Sequence, residues 1–141
     1  MEQSPPPRKL VLTRLIPIRW GDMDAYGHVN NTLYFRYMEQ IRIEYLESIG
    51  YSVPSERASP VIVKASCTFL IPLTYPGTIE IRMFFGAPGR SSIPSSYEIR
   101  LQGDDTLYAT GDAKIVWMEV ASGKSVPIPD DFRALLTAIK V

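Results

Sequence analysis

The chain has 141 residues and a mass of 15.9 kDa, which fits a single domain on the usual scale of about 100–200 residues each. Its apolar fraction of 45% and charged fraction of 21% exclude wholesale disorder, and 15 basic against 15 acidic residues leave no basic footprint for nucleic acid or for an anionic membrane. The one cysteine, Cys67, excludes an internal disulfide and a structural zinc site.

Residues 1–9 are polar and rich in proline, and are expected to form a flexible tail ahead of one domain over 10–141. Leu10 to Ile18 is rich in β-formers, and Pro17 removes a backbone donor, so this strand is expected at a sheet edge. Gly21 to Asn31 reads as a loop. Asn30 or Asn31 then caps a helix over Thr32 to Ile49, in which Leu33, Tyr34, Tyr37, Met38, Ile41, Tyr45 and Ile49 recur at helical spacing. Gly50 stands where a helix-ending glycine belongs.

From residue 60 the period changes to two. In the run from Val61 to Ile71, the residues Val61, Val63, Ala65, Cys67, Phe69 and Ile71 are expected on one face. Strands over Gly77 to Phe85, Ser95 to Gln102 and Thr106 to Val120 follow, the last two joined by a turn at Gly103-Asp104-Asp105. Gly111 suggests a bulge. Asp130-Asp131 caps a short helix over Phe132 to Ile139. With no helix between the later strands, pairing is expected to be antiparallel, and the first strand is expected to insert beside a later one. The result is an α+β domain whose curved sheet wraps one long helix.

Asp22, Asp24, His28, Asn30 and Asn31 crowd the mouth of that helix, and His28 is the chain's single histidine. A helix N-terminus presents unpaired N–H groups and partial positive charge, so it can hold an acyl oxygen while a neighbouring carboxylate acts as base or nucleophile. The same residue types also serve as caps and turn-formers, and the pattern permits both readings. Two rival chemistries are weaker. Cys67 could be a nucleophile, although its strand phase favours core packing. Asp22, Asp24 and His28 form a facial-triad set for a divalent metal that nothing else in the chain supports. Gly86 to Ser91 lacks phosphate-loop spacing and reads as a strand connection; a minor reading has Arg90 or Lys64 meeting a phosphate. The chain has no Gly-x-Ser-x-Gly elbow for a serine hydrolase.

The stretch from Arg19 to Arg42 resembles the signature of hot-dog-fold acyl-CoA thioesterases of the 4-hydroxybenzoyl-CoA type: Asp22-Met23-Asp24, Gly27, Asn30-Asn31, Tyr34 and Tyr37, then Glu39 with Arg42. Cys67-Thr68-Phe69, Tyr75-Pro76-Gly77, Gly89 to Ser92, Ala109-Thr110-Gly111 and Val126 to Pro129 extend the resemblance over residues 11–136. The resemblance implies a hot-dog fold and hydrolysis of acyl-CoA or acyl-carrier-protein thioesters. It implies Asp24 as the catalytic carboxylate and His28 as its helper. Gly27, Val29, Asn30 and Asn31 would supply substrate contacts, with backbone N–H groups from Gly27 to Val29 on the thioester oxygen. Asn31 stands where some branches place histidine. Glu39 is expected to be structural, paired with Arg36 or Arg42. No metal or cofactor is expected, and the resemblance implies a homodimer or homotetramer. A hydratase of the same fold uses an Asp-x4-His pattern, whereas Asp24 and His28 give Asp-x3-His. A non-catalytic acyl-binding or partner-binding domain is the remaining alternative. No signal peptide or apolar run of about 18 residues is read, so the cytoplasm is the expected setting.

Overall fold

A computed structural model describes residues 7–51 and 58–138. The elements in chain order are β1 (Arg8–Pro17), a 3-10 turn (Trp20–Asp22), α1 (Asn31–Ser48), β2 (Ala58–Phe69), β3 (Thr78–Gly86), β4 (Ser92–Leu101), β5 (Ala109–Glu119) and α2 (Asp130–Ala138). Most of the expected tail, residues 1–6, and the expected helical residue Ile139 lie outside the described residues. The five strands form one sheet in the order β1-β3-β4-β5-β2, and every pairing is antiparallel. The first strand thus inserts beside β3 at an edge, where the missing donor of Pro17 breaks no inner ladder.

β1 begins two residues earlier than expected. The Arg8 guanidinium lies 3.8 Å from the centre of the Phe84 ring and donates to Glu98 at 2.7 Å, which ties this end of the strand to the outer sheet face.

The inner face carries Ile79, Ile81, Met83 and Phe85 of β3, Ile93, Tyr97 and Ile99 of β4, and Ala109, Ala113, Ile115 and Trp117 of β5, all buried. Against it α1 lays Tyr34, Tyr37, Met38, Ile41 and Tyr45, one stripe at helical spacing. This is the expected curved sheet around one long helix. Asn30 caps α1, its Oδ1 accepting from the Thr32 amide at 3.0 Å, and Gly50 ends it at a φ of 75° that favours glycine. α2 closes the far end, with Phe132 packed 4.6 Å from Trp117 between ring centres.

Two strand details differ from expectation. The β2–β5 register shifts between Ile62 and Lys64, so alternation breaks at Val63. Pro60 and Ile62 face inward before the shift, opposite Trp117 and Ile115. Ala65, Cys67 and Phe69 face inward after it, opposite Ala113, Gly111 and Ala109. Val61, opposite Val116, therefore lies on the other face from Cys67, and Ile71 lies beyond the strand.

Gly111 is no bulge. It pairs in regular register with both Cys67 and Tyr97. A Cβ there would collide with the Met38 sulfur and come within 3.2 Å of the Ser66 carbonyl, so the glycine exists to let α1 approach β5.

Gly111→Ala is expected to cost about 1–3 kcal/mol, because Met38 is fully buried and has little room to move. Urea unfolding of Gly111→Ala, Met38→Ala and the double variant checks this. The double variant should lose clearly less than the sum of the two, since removing the methionine vacates the space the new methyl needs.

Candidate active site

The segment between β1 and α1 is tied down at both of its acidic residues, in different ways. Asp22 is buried at 4% exposure, yet each carboxylate oxygen is occupied. Oδ2 accepts from the Arg19 amide at 3.0 Å and from the Tyr37 hydroxyl at 2.8 Å, and Oδ1 lies 3.5 Å from the Arg19 guanidinium. Burial, and then the hydrogen bond to Asp22, push the Tyr37 hydroxyl well above its ordinary pKa. Asp22 is a buried anchor that fixes the 3-10 turn to the first turns of α1.

Asp24 is half-buried. Its Oδ1 accepts from the amides of Tyr26 at 2.8 Å and His28 at 3.3 Å, while its own amide donates to the His28 carbonyl at 2.7 Å. Gly27 turns the loop at a φ of 79° and donates to the Asp24 carbonyl at 3.1 Å. The loop folds around the carboxylate and fixes its direction. Both bonds fall on Oδ1, so Oδ2 is the oxygen left for a reacting partner.

The sequence expected the amides from Gly27 to Val29 to face a substrate oxygen. They are occupied instead. Gly27 and His28 donate to Asp24, and buried Val29 donates to the Leu73 carbonyl at 2.8 Å. Asn30 is also committed: its amide donates to the Asp22 carbonyl at 2.9 Å and its side chain caps the helix. Thr32 and Leu33 both donate to Asn30. Asn31, the first helical residue, takes no part in this set, and a first-turn amide has no partner within its own helix. The physical reason is steric economy: a tight loop satisfies its own donors first, and only the helix's first amide stays outside it.

The side chain of His28 is exposed, and its bonds to Asp24 run through the backbone. Asp22 and Asp24 turn to different partners, so the two carboxylates do not converge on one point with His28.

Cys67 lies on the inner face of β2 opposite Gly111, and burial raises its thiol to about 11. Phe69, on the same face, packs edge-on against Tyr34 with ring centres 4.8 Å apart. Burial raises the Tyr34 hydroxyl against the lowering effect of the hydrogen bond it accepts from the Leu73 amide, and nearby Cys67 and Asp24 add to the rise. The mouth of α1 and the end of β2 thus meet at Tyr34.

Glu39 pairs with Arg36 at 3.0 Å, one of the two expected partners. Arg42 goes elsewhere, donating to the Tyr97 hydroxyl at 3.1 Å inside the fold. The sequence held the signal for this in the helical stripe Phe35, Glu39, Arg42, Ile43 and Leu46, which lies beside the core stripe. Gly86 to Ser91 connects β3 to β4, with the carbonyls of Gly89 and Arg90 held by Arg133. Lys64 lies opposite Lys114 on the outer face of the sheet.

Among the described residues no helix is long and apolar enough to cross a membrane. A family profile described as the thioesterase-like superfamily matches residues 18–136. The chain is similar to a solved Pseudomonas aeruginosa protein, PA2801, provisionally named a thioesterase: 38% identity, a TM-score of 0.86, and coverage of 91% of this chain and 99% of that one. A Xanthomonas campestris protein provisionally named an acyl-CoA thioesterase is 32% identical, with a TM-score of 0.75 and coverage of 83% and 100%. The gentisyl-coenzyme A thioesterase BH1999 is 25% identical, with a TM-score of 0.77 and coverage of 86% and 99%.

A thiol held near 11 is a poor nucleophile at neutral pH. Alkylation of Cys67 by iodoacetamide at pH 8 is expected to run at least roughly tenfold slower than that of a free cysteine. Mass spectrometry of timed samples checks it, and a rate equal to the free amino acid would return Cys67 to the list of reactive groups.

Proposed function

Because the chain belongs to the thioesterase-like superfamily, we propose that it hydrolyses acyl-CoA thioesters, with Asp24 as the reacting carboxylate at the mouth of α1. The observation that carries this reading is the state of Asp24. One oxygen is locked by two backbone amides and the other is left for a partner, at the end of a helix whose first amide is uncommitted.

The thioester oxygen would be held by the Asn31 amide, helped by the positive end of the α1 dipole. Oδ2 of Asp24 would attack the acyl carbon or take a proton from an attacking water. A thiolate leaves readily, so little acid catalysis is asked of the protein. His28, whose ring is exposed beside the loop, would protonate the departing sulfur or orient water. Presentation of the acyl group by an acyl-carrier protein would use the same chemistry. The single half-buried cysteine suits a reducing setting such as the cytoplasm.

We propose also that the chain works as a homodimer or homotetramer. β2 is an edge strand of 12 residues, and Ile62, Val63 and Phe69, with Leu70 and Ile71 just beyond, are each at least 40% exposed. A long apolar edge is a template for pairing unless another chain covers it. Light scattering is expected to give two or four times 15.9 kDa, and a monomer mass would remove this part of the reading.

Asp24→Asn should lower kcat for acyl-CoA hydrolysis by about a hundredfold or more with thermal stability nearly unchanged, read with a free-thiol reagent. Unaltered turnover would take Asp24 out of the role, and no thiol release by the wild type would favour an acyl-binding domain without catalysis. His28→Ala should cost less, within about tenfold, because the leaving group needs little help.

A further inference from the structure

Beyond the helix mouth a cavity of about 150 Å³ lies between the second half of α1 and the inner sheet face. Its walls are mostly apolar, among them Ile43, Leu46, Pro60, Ile62 and Trp117. A volume of this size holds a small apolar group such as a ring or a few methylenes. One cation lines it: Arg42, which is half-buried.

Among the described residues Arg42 has no anionic partner, and its guanidinium lies over the Tyr97 ring, 5.6 Å from the ring centre. Its guanidinium donates to the Tyr97 hydroxyl at 3.1 Å. Ser95 spends its single hydroxyl proton on the Ala113 carbonyl at 2.8 Å, so across the 2.8 Å Ser95–Tyr97 contact Tyr97 must be the donor. The chain Arg42, Tyr97, Ser95, Ala113 carbonyl therefore runs in one direction, ends on a neutral acceptor and brings no negative charge to the guanidinium. Among the described residues no carboxylate lies within ion-pair distance of Arg42. The one acidic residue lining the same cavity, Glu39, is held by Arg36 at 3.0 Å. The other Arg42 donors are not sealed in the core, since no buried side-chain nitrogen or oxygen among the described residues lacks a partner. They remain reachable for a ligand.

The inward face of β2 runs from the candidate active site toward this cation. Along it lie Phe69 beside Tyr34, then Ala65, then Ile62 at the cavity, a line uncovered within one protomer that a second copy on the β2 edge would roof. The helix stripe Phe35, Glu39, Arg42 and Ile43 runs along the same side. From Asn31 to Arg42 is 11 helical steps, about 16 Å.

We propose that Arg42 makes the inner end of this groove a carboxylate receptor, so that the preferred substrates are thioesters of medium-length dicarboxylic acids, with the free carboxylate on Arg42 and the thioester at Asp24. The substrate class rests on the hydrolase reading, whereas the receptor itself does not. A planar guanidinium fork fits a carboxylate in a two-pronged bond, and the apolar walls strengthen that bond by excluding water. A plain fatty acyl chain of the same length would bring a methyl group to the cation and strip its hydration without return.

The test has two arms on the full chain. Hydrolysis of the dodecanedioic acid mono-CoA thioester is compared with that of dodecanoyl-CoA by free-thiol release. Binding of monomethyl dodecanedioate is compared with that of methyl dodecanoate through the fluorescence of Trp117, which lines the cavity, in a Trp20→Phe background. The wild type should favour the carboxylate ligand by about tenfold or more in kcat/KM and in Kd. Arg42→Gln should bring both ratios near one, while Arg42→Lys keeps part of the preference. A residue that only supports the fold would instead weaken both ligands of each pair alike. Hydrolysis of both thioesters without preference overturns the proposal and leaves the hydrolase reading standing. A binding preference without hydrolysis upholds the receptor and removes the hydrolase reading. Equal binding of the two esters overturns the receptor whatever the variants do.

Discussion

The contact between Met38 and Gly111 sets the height of α1 above the sheet, and most of the site follows from it. A helix normally stands off a sheet by the length of the side chains between them. Here the sheet offers no side chain at all beneath the fully buried methionine. The Met38 side chain therefore packs directly on the backbone of β5, and the stripe from Tyr34 to Tyr45 joins the buried residues of β3 and β4 in one core. Interiors pack near crystal density, so a single methyl at this point would be felt along the whole helix.

The two ends of α1 differ in how they meet their surroundings. At its start, the Tyr37 hydroxyl reaches Asp22 and pins the preceding turn, and the loop then wraps Asp24 with its own amides. Two acidic residues two positions apart thereby acquire opposite roles. Asp22 has every oxygen occupied and is structural. Asp24 has one oxygen fixed and one available. Toward its end, the same helix leaves the inward face of edge strand β2 partly uncovered. The opening holds the cavity and Arg42.

The polar groups inside this core are few and directional. The Arg42–Tyr97–Ser95 chain runs to a backbone carbonyl, and every member except the first is buried. Chains of this kind polarise one another and hold side chains in single rotamers. A cation fixed this way at the edge of an apolar cavity keeps its charge directed at whatever enters. On the outer face the charges behave differently. Glu98 is shared between Arg8 and Arg100 in a water-facing network that steadies β1 and β4 without shaping a site.

The sequence by itself determined the element order, the antiparallel sheet, the long helix with its Asn30 cap and Gly50 stop, and the helix mouth as the place to look. These follow from period, caps and turn residues, which act over a few positions along the chain. The tertiary structure decided the rest. The one-residue shift at Val63 split a strand face that simple alternation had kept whole, because a bulge is fixed by the partner strand and leaves no mark in a run of β-formers. Gly111 read as a bulge, since a glycine needed for close approach looks the same in one dimension as a glycine needed for a kink. The loop amides from Gly27 to Val29 read as free donors until folding brought Asp24 and Leu73 to them, which left Asn31. Helical spacing permitted either Arg36 or Arg42 as the partner of Glu39, and the structure pairs it with Arg36. Only packing against β4 offered Tyr97 to Arg42, and a side chain takes the partner that three dimensions bring nearest.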